Sequence, residues 1–157
     1  MSICCVSRAR RIHAAASEVW QRICAPCSIL EWNPRIAECH SHTNAARQVM
    51  RDYVLAPGGD GAPTMVETEL SRSDAIMTIT YTVDIYGLPI SDYVAQISVT
   101  PAGDADCEVE LRSRFVDLGV PGVDASDLVA MFYEAGLQGL SDLMDPPDDA
   151  AEGTAAR

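Results

Sequence analysis

The sequence predicts an α+β domain in which a curved, seven-stranded antiparallel sheet surrounds one long C-terminal helix. Three observations support this prediction: a strand followed by two short helical segments, six further strand-like segments separated by turns, and one long helical pattern. A meander followed by a single helix can bury its apolar face by packing the helix against the sheet. We predict one domain over residues 1–145 and a disordered acidic tail over residues 146–157.

The first elements are a strand and a broken pair of helices. Residues 3–12 alternate loosely between polar and apolar side chains, which is typical of a strand. A helix then begins near Ser17, which could cap it, and Pro26 ends it. Residues 27–32 form a second short helical segment, which ends before Pro34 because the residue preceding a proline avoids helical geometry.

Six further strands are separated by turns rich in glycine, proline, serine and aspartate. The predicted strands are residues 36–42, 47–55, 64–72, 75–86, 91–100 and 106–116. The alternation is clearest in residues 75–86, where one face carries Met77, Ile79 and Tyr81 and the other carries threonines. A cavity between such a curved sheet and a helix is the natural place for a ligand.

The last helix is predicted over residues 124–144, with Asp124 or Ser126 as its N-cap. Its predicted buried stripe consists of Leu128, Met131, Phe132, Ala135, Leu140 and Leu143.

Composition and charge exclude several classes of partner and chemistry. The 157 residues include 23 acidic and 11 basic residues, and the net charge is −12. A nucleic acid or an anionic membrane would repel such a chain, so we expect neither as a partner. All basic residues are arginine, which rules out Schiff-base lysine chemistry and a P-loop lysine.

The N-terminus lacks the apolar stretch of a signal peptide, and no segment approaches the ~18 apolar residues of a membrane span. We therefore expect a cytoplasmic protein with six reduced thiols. Cys24 and Cys27 form a C-x-x-C pair that could bind zinc together with Cys39, His40 or His42. Inert thiols are the simpler interpretation, and we predict no metal.

Four segments, residues 12–20, 30–34, 88–93 and 133–137, together with Arg47 at the start of the third strand, have a fairly specific order and spacing. They resemble the START/Bet v 1-like superfamily, in particular its bacterial polyketide cyclase/dehydrase and lipid-transport group, in which an arginine often opens the third strand. The resemblance spans about residues 3–144 and implies the helix-grip fold with a hydrophobic ligand cavity. It does not choose between an enzyme and a binding protein.

The sequence departs from this family on the fourth strand. Relatives commonly carry a glutamate two residues before a leucine, whereas here Thr68 precedes Leu70, with Glu67 and Glu69 on either side. A role for that glutamate therefore cannot be transferred directly.

Strand alternation predicts which side chains face the cavity. The predicted catalytic residues are Arg51, Tyr81 and Tyr93. The predicted ligand-binding residues are Trp32, Tyr53, Thr68, Met77, Ile79, Ile97, Leu111, Phe115, Leu128, Phe132 and Tyr133. Arg51 could bind a ligand carboxylate or stabilise an enolate oxygen, or it could pair with Glu67 or Glu69 at the sheet surface. Trp32 could guard the mouth of the cavity or anchor its short helix.

Two functions follow from this interpretation. The first is a cofactor-independent enzyme of secondary metabolism that cyclises or dehydrates a polyketide-like substrate. The alternative is a non-catalytic carrier of a hydrophobic small molecule. Convergence of two or more polar groups inside the cavity would favour the enzyme, whereas a wholly apolar cavity would favour the carrier. The sequence leaves a homodimer open.

Overall fold

The computed structural model describes residues 1–146 and confirms the predicted fold class. The strands are β1 (Ser2–Ile12), β2 (Ile36–Thr43), β3 (Val49–Leu55), β4 (Thr64–Ser73), β5 (Thr78–Tyr86), β6 (Ile90–Pro101) and β7 (Cys107–Asp117). The helices are α1 (Ala16–Cys24), α2 (Ile29–Trp32) and α3 (Ala125–Met144). Nearly all of the predicted acidic tail lies outside the described residues.

All seven strands form one antiparallel sheet in the order β1-β7-β6-β5-β4-β3-β2. The first two strands of the chain therefore lie at opposite edges of the sheet, and α1 and α2 connect them. The interior strand β6 buries every second residue, namely Tyr93, Ala95, Ile97 and Val99. This apolar face packs beneath the helices, as the residue pattern predicts.

Asp124 is the N-cap of helix α3, and its side chain accepts a hydrogen bond from the backbone N–H of Asp127 at 3.0 Å. The predicted buried stripe is fully buried only at Leu140, since Leu128, Phe132 and Ala135 are half-buried and Met131 and Leu143 are exposed. The buried positions are instead Ala125, Val129, Ala130, Tyr133, Gly136, Leu137, Leu140 and Ser141. Small residues on this face let α2 approach closely. A stripe of large apolar residues in the sequence cannot predict such a close helix contact.

Helix α2 lies directly against α3. A Cβ atom placed on Gly139 would lie 1.7 Å from the carbonyl oxygen of Trp32, so glycine is required there. The side chain of Asn33 donates a hydrogen bond to the carbonyl oxygen of Phe132 at 3.4 Å. These contacts fix Trp32, which is 6% exposed, between α3 and the sheet.

The start of α1 and the first residues of two strands differ from the prediction. Ser17 lies inside α1, whose N-cap is Ala15, and no side chain caps this helix. Trp20 instead anchors α1, because its indole N–H donates to Asp74 at 2.9 Å. Arg47 and Met77 precede β3 and β5 in backbone conformations with positive φ, so both strands begin later than predicted.

A disulfide joins Cys27, between α1 and α2, to Cys39 on β2. The expectation of six reduced thiols is therefore wrong for this pair, and a zinc site using either thiolate is not available in this form. No cluster of three metal-ligating side chains occurs within residues 1–146. Disulfides are more typical of oxidising compartments, so the cytoplasmic location stays a prediction. None of the described helices is both long and apolar enough to cross a bilayer.

We predict that Gly139→Ala destabilises the protein, although alanine normally stabilises a helix interior by about 1 kcal/mol relative to glycine. The added methyl group meets the backbone of Trp32, which cannot move without displacing α2. Thermal unfolding should show a lower Tm than that of the neighbouring exposed variant Gln138→Ala. A Tm equal to or above that of the wild type would contradict the close contact.

We predict that reduction of the Cys27–Cys39 disulfide lowers the free energy of unfolding by about 3 kcal/mol, since the two cysteines are 12 residues apart. Denaturant unfolding with and without dithiothreitol measures this loss. Cys27→Ser should abolish the sensitivity to the reductant, whereas Cys5→Ser, which removes an exposed free thiol, should retain it. Identical unfolding curves for oxidised and reduced protein would count against the disulfide's role.

Candidate functional site

A cavity with two adjacent chambers lies between the sheet and the helices. The smaller chamber has a volume of about 60 Å³ and lies beside α2, and the larger has a volume of about 210 Å³ and extends towards the start of α3. The residues that line both chambers are Ile29, Tyr53, Glu67, Tyr81, Phe132 and Tyr133. A ligand at this boundary would therefore meet one carboxyl group and three phenol rings.

Buried charges lie beside this boundary. Arg51 on β3 is 8% exposed, and its Nη2 donates to Oε1 of Glu69 at 2.8 Å. Its Nη1 lies 3.5 Å from Oε2 of Glu67. Arg72 also contacts Glu69, at the Oε1 atom that accepts the hydrogen bond from Arg51. Two guanidinium groups thus neutralise two carboxylates, and Arg51 needs no ligand anion to balance its charge.

The two carboxyl groups have opposite pKa shifts. Burial raises the pKa of Glu67, although Arg51 and the Tyr53 hydroxyl oppose this shift. Burial acts in the same direction on Glu69, but hydrogen bonds from Arg72 and Arg51 outweigh it and lower the pKa. The environment of Glu69 therefore favours the anion, whereas Glu67 is suited to exchanging a proton.

Two phenol groups lie next to Glu67. Tyr53 donates its hydroxyl hydrogen to Oε2 of Glu67, and burial together with that carboxylate raises the pKa of Tyr53 well above its ordinary value. Burial, with a smaller effect of Tyr133, also raises the pKa of Tyr81. The Tyr81 hydroxyl makes no hydrogen bond with any residue in the described part of the chain, so it remains available to a ligand.

A second phenol pair lines the larger chamber. The hydroxyl oxygens of Tyr93 and Tyr133 are 2.5 Å apart, so one hydroxyl donates to the other. Burial raises the pKa of Tyr133 to about 12 and the pKa of Tyr93 well above its usual range. Both groups are neutral at ordinary pH and serve as hydrogen-bonding groups rather than as bases.

Most of the predicted site residues are brought together in this cavity. Those that line it are Trp32, Arg51, Tyr53, Ile79, Tyr81, Tyr93, Ile97, Leu111, Leu128, Phe132 and Tyr133. Thr68, Met77 and Phe115 line neither chamber. Met77 lies in the turn before β5. Phe115 is fully buried, and its ring stacks on that of Tyr93 with the two ring centroids 5.5 Å apart.

Thr68, the site residue predicted on β4, is off by one position: its neighbour Glu67, predicted only as a possible partner of Arg51 at the sheet surface, lines the cavity. Met65 and Glu69 are buried, Glu67 lines the cavity, and Leu70 is 52% exposed. The face of β4 that carries Val66, Thr68 and Leu70 is the more apolar one, but the buried arginine on β3 needs acidic partners on the face that turns inward. Arg51 and Glu67 are direct cross-strand neighbours, and the alternative role of Arg51, pairing with Glu67 or Glu69, occurs on the cavity wall rather than at the sheet surface.

Comparison with known proteins agrees with this architecture. The family model described as polyketide cyclase / dehydrase and lipid transport matches residues 4–145. The chain belongs to this family. No protein of curated function matched the sequence.

Solved structures share the family's fold at low identity. A Bacillus thuringiensis protein is 22% identical, with a TM-score of 0.77 over 90% of this chain and 98% of its own. The Zhui aromatase/cyclase from a Streptomyces species is 12% identical, with a TM-score of 0.71 over 91% and 94%. Norcoclaurine synthase from Thalictrum flavum is 15% identical, with a TM-score of 0.63 over 90% and 93%. At these identities the likeness concerns the fold alone.

We predict that Arg51→Ala lowers the free energy of unfolding by about 3–5 kcal/mol, because it leaves Glu67 and Glu69 buried with fewer cationic partners. Arg72→Ala is the matched control, since Arg72 is more exposed and binds only one of the two carboxylates, so its loss should be smaller. Chemical denaturation of both variants measures the difference. Equal losses would show that Arg51 is not the shared partner of the two acids.

Proposed function

We propose that the protein is a cofactor-independent enzyme of secondary metabolism that cyclises or dehydrates a polyketide-like carbonyl compound. One observation carries the proposal: the Glu67 carboxyl group and the Tyr53 and Tyr81 hydroxyls surround the boundary of the two chambers. A base and a hydrogen-bond donor on one cavity wall are the groups that enolate chemistry needs.

In the proposed reaction, the Glu67 carboxylate takes a proton from a carbon next to a carbonyl group. The C–H electron pair moves to the carbonyl oxygen, and the free Tyr81 hydroxyl hydrogen-bonds to the resulting enolate. The enolate carbon attacks a second carbonyl of the same substrate, and the new alkoxide takes up the proton from Glu67. Loss of water from that aldol product would complete a dehydration.

Arg51 is a positioning residue in this proposal rather than a catalytic one. Its guanidinium is already engaged by Glu67 and Glu69, so it acts on the substrate only through the charge and orientation of Glu67. The Tyr93–Tyr133 pair would hold a second oxygen of the substrate in the larger chamber. The cavity walls would keep a flexible chain folded and exclude water.

A non-catalytic carrier is the second candidate, and the larger chamber favours it. Beyond the polar groups already named, its wall is largely apolar, with Leu55, Met65, Val83, Ile85 and Leu128. Such a surface binds hydrophobic compounds without any chemistry. A carrier does not need the buried carboxyl group of Glu67 beside the free hydroxyl of Tyr81 and the hydrogen-bonded hydroxyl of Tyr53. This arrangement therefore supports the enzyme.

The deciding experiment measures the conversion of a synthetic linear poly-β-ketone by the wild type and by Glu67→Gln. We expect the wild-type rate to rise with pH through a pKa above that of an ordinary carboxyl group, because only the ionised base accepts a proton and burial raises its pKa. Glu67→Gln should lose about 10²–10⁴-fold in rate together with this rising limb.

Glu38→Gln is the matched control, since Glu38 is an exposed acid on β2, and its rate and pH profile should equal those of the wild type. Tyr81→Phe should lower the rate while preserving the pH profile. Binding of the poly-β-ketone without conversion by the wild type, or full conversion by Glu67→Gln, would refute the enzyme and favour the carrier.

A further inference from the structure

The charges around the cavity are unevenly distributed. At the inner boundary, Arg51 and Arg72 are engaged by Glu67 and Glu69. Arg35 also lines the larger chamber, but it is exposed and lies just before β2. Within residues 1–146, its guanidinium forms no ion pair and no side-chain hydrogen bond. The cavity therefore combines a neutralised interior with a free cation at the rim of the larger chamber.

We propose that the cavity binds an amphipathic ligand in one orientation, with an acidic group at Arg35 and an uncharged carbonyl group at Glu67. The inference rests on the site of the proposed function, and it adds the ligand's charge and direction. Glu67 would be the residue that excludes an anion from the inner end, and Arg35 would be the residue that attracts one to the rim.

The exclusion follows from what a carboxylate would meet inside. It would lose its water and lie beside the Glu67 carboxylate, while the nearest guanidinium is already engaged by two acids. An unpaired charge in such a place is strongly disfavoured, because it has lost its water and gained no partner. The neighbouring phenols of Tyr53, Tyr81, Tyr93 and Tyr133 all have raised pKa values and are neutral, so they add no charge.

An uncharged carbonyl group meets none of this repulsion. The free hydroxyl of Tyr81 can donate a hydrogen bond to it, and the surrounding wall accepts the apolar body of the ligand. At the rim, an acidic group keeps part of its water and gains the attraction of Arg35, whose strength depends on salt because this guanidinium is exposed.

The test uses three rigid probes on one ring system, naphthalene-2,6-dicarboxylate, its monomethyl ester and its dimethyl ester, in which each ester removes one negative charge and adds one methyl group. Calorimetric titration of the wild type at neutral pH should show the monoester binding at least tenfold more tightly than the dicarboxylate. Glu67→Gln should reduce that difference to less than threefold, because the repelling charge is gone. Glu38→Gln should leave it unchanged.

The rim is tested independently. Arg35→Ala should weaken monoester binding about three- to tenfold and leave diester binding unchanged, whereas Arg114→Ala, on an exposed position of β7, should alter neither. Thermal unfolding of each variant checks that it is folded.

Two results would overturn the inference. One is an unchanged ratio of monoester to dicarboxylate affinity in Glu67→Gln, and the other is equal weakening of monoester and diester in Arg35→Ala. These are binding measurements, so they are independent of turnover. Selectivity for the monoester over the dicarboxylate without conversion of the poly-β-ketone would refute only the proposed catalysis. Conversion of the poly-β-ketone without this selectivity would refute only the ligand orientation.

Discussion

The guanidinium of Arg51 is the group on which the cavity wall depends. It is buried on β3 between two carboxylates of β4 and contacts both of them, whereas Arg72 contacts only Glu69. The pair Arg51–Glu67 is also a direct cross-strand contact, so the ion pair and the register of β3 against β4 support each other. Slipping this register by one residue would turn both acids outward and leave the arginine buried alone.

The opposite wall is held by different means. Helix α2 is only four residues long, too short to be stable by itself, and it is fixed by the backbone contact with Gly139 and by the nearby disulfide to β2. Cys39 lies directly across from Tyr53 in the sheet, so the disulfide ties the α1–α2 connection to the strand that carries the site. A covalent link and a close helix contact thus define the smaller chamber.

The polar groups of the site differ in what they can do. Glu69 is saturated by two arginines, and Tyr53 and the Tyr93–Tyr133 pair are engaged with other side chains. Glu67 combines burial with a raised pKa, and the Tyr81 hydroxyl has no partner among the described residues. Proton exchange and oxygen binding are therefore concentrated on two neighbouring side chains, although the fold brings many polar groups into the cavity.

The sequence predicts the order of the elements, the antiparallel sheet and most of the residues that line the cavity. These follow from local signals: turn residues end each strand, and alternation in β5 and β6 separates two faces of clearly different polarity. It also placed Arg51 and Tyr53 on one strand face, which is the face that lines the cavity.

Long-range contacts in the folded protein decide which face of β4 is buried, which cysteines pair and which residues of α3 meet the sheet. Residues 64–70 alternate whichever face is inward, and the choice is made by Arg51, which is distant along the chain but adjacent in the sheet. Cys27 pairs with Cys39 rather than with Cys24 because folding brings the α1–α2 connection onto β2. In each case a long-range contact chose between local arrangements that the sequence pattern allows equally.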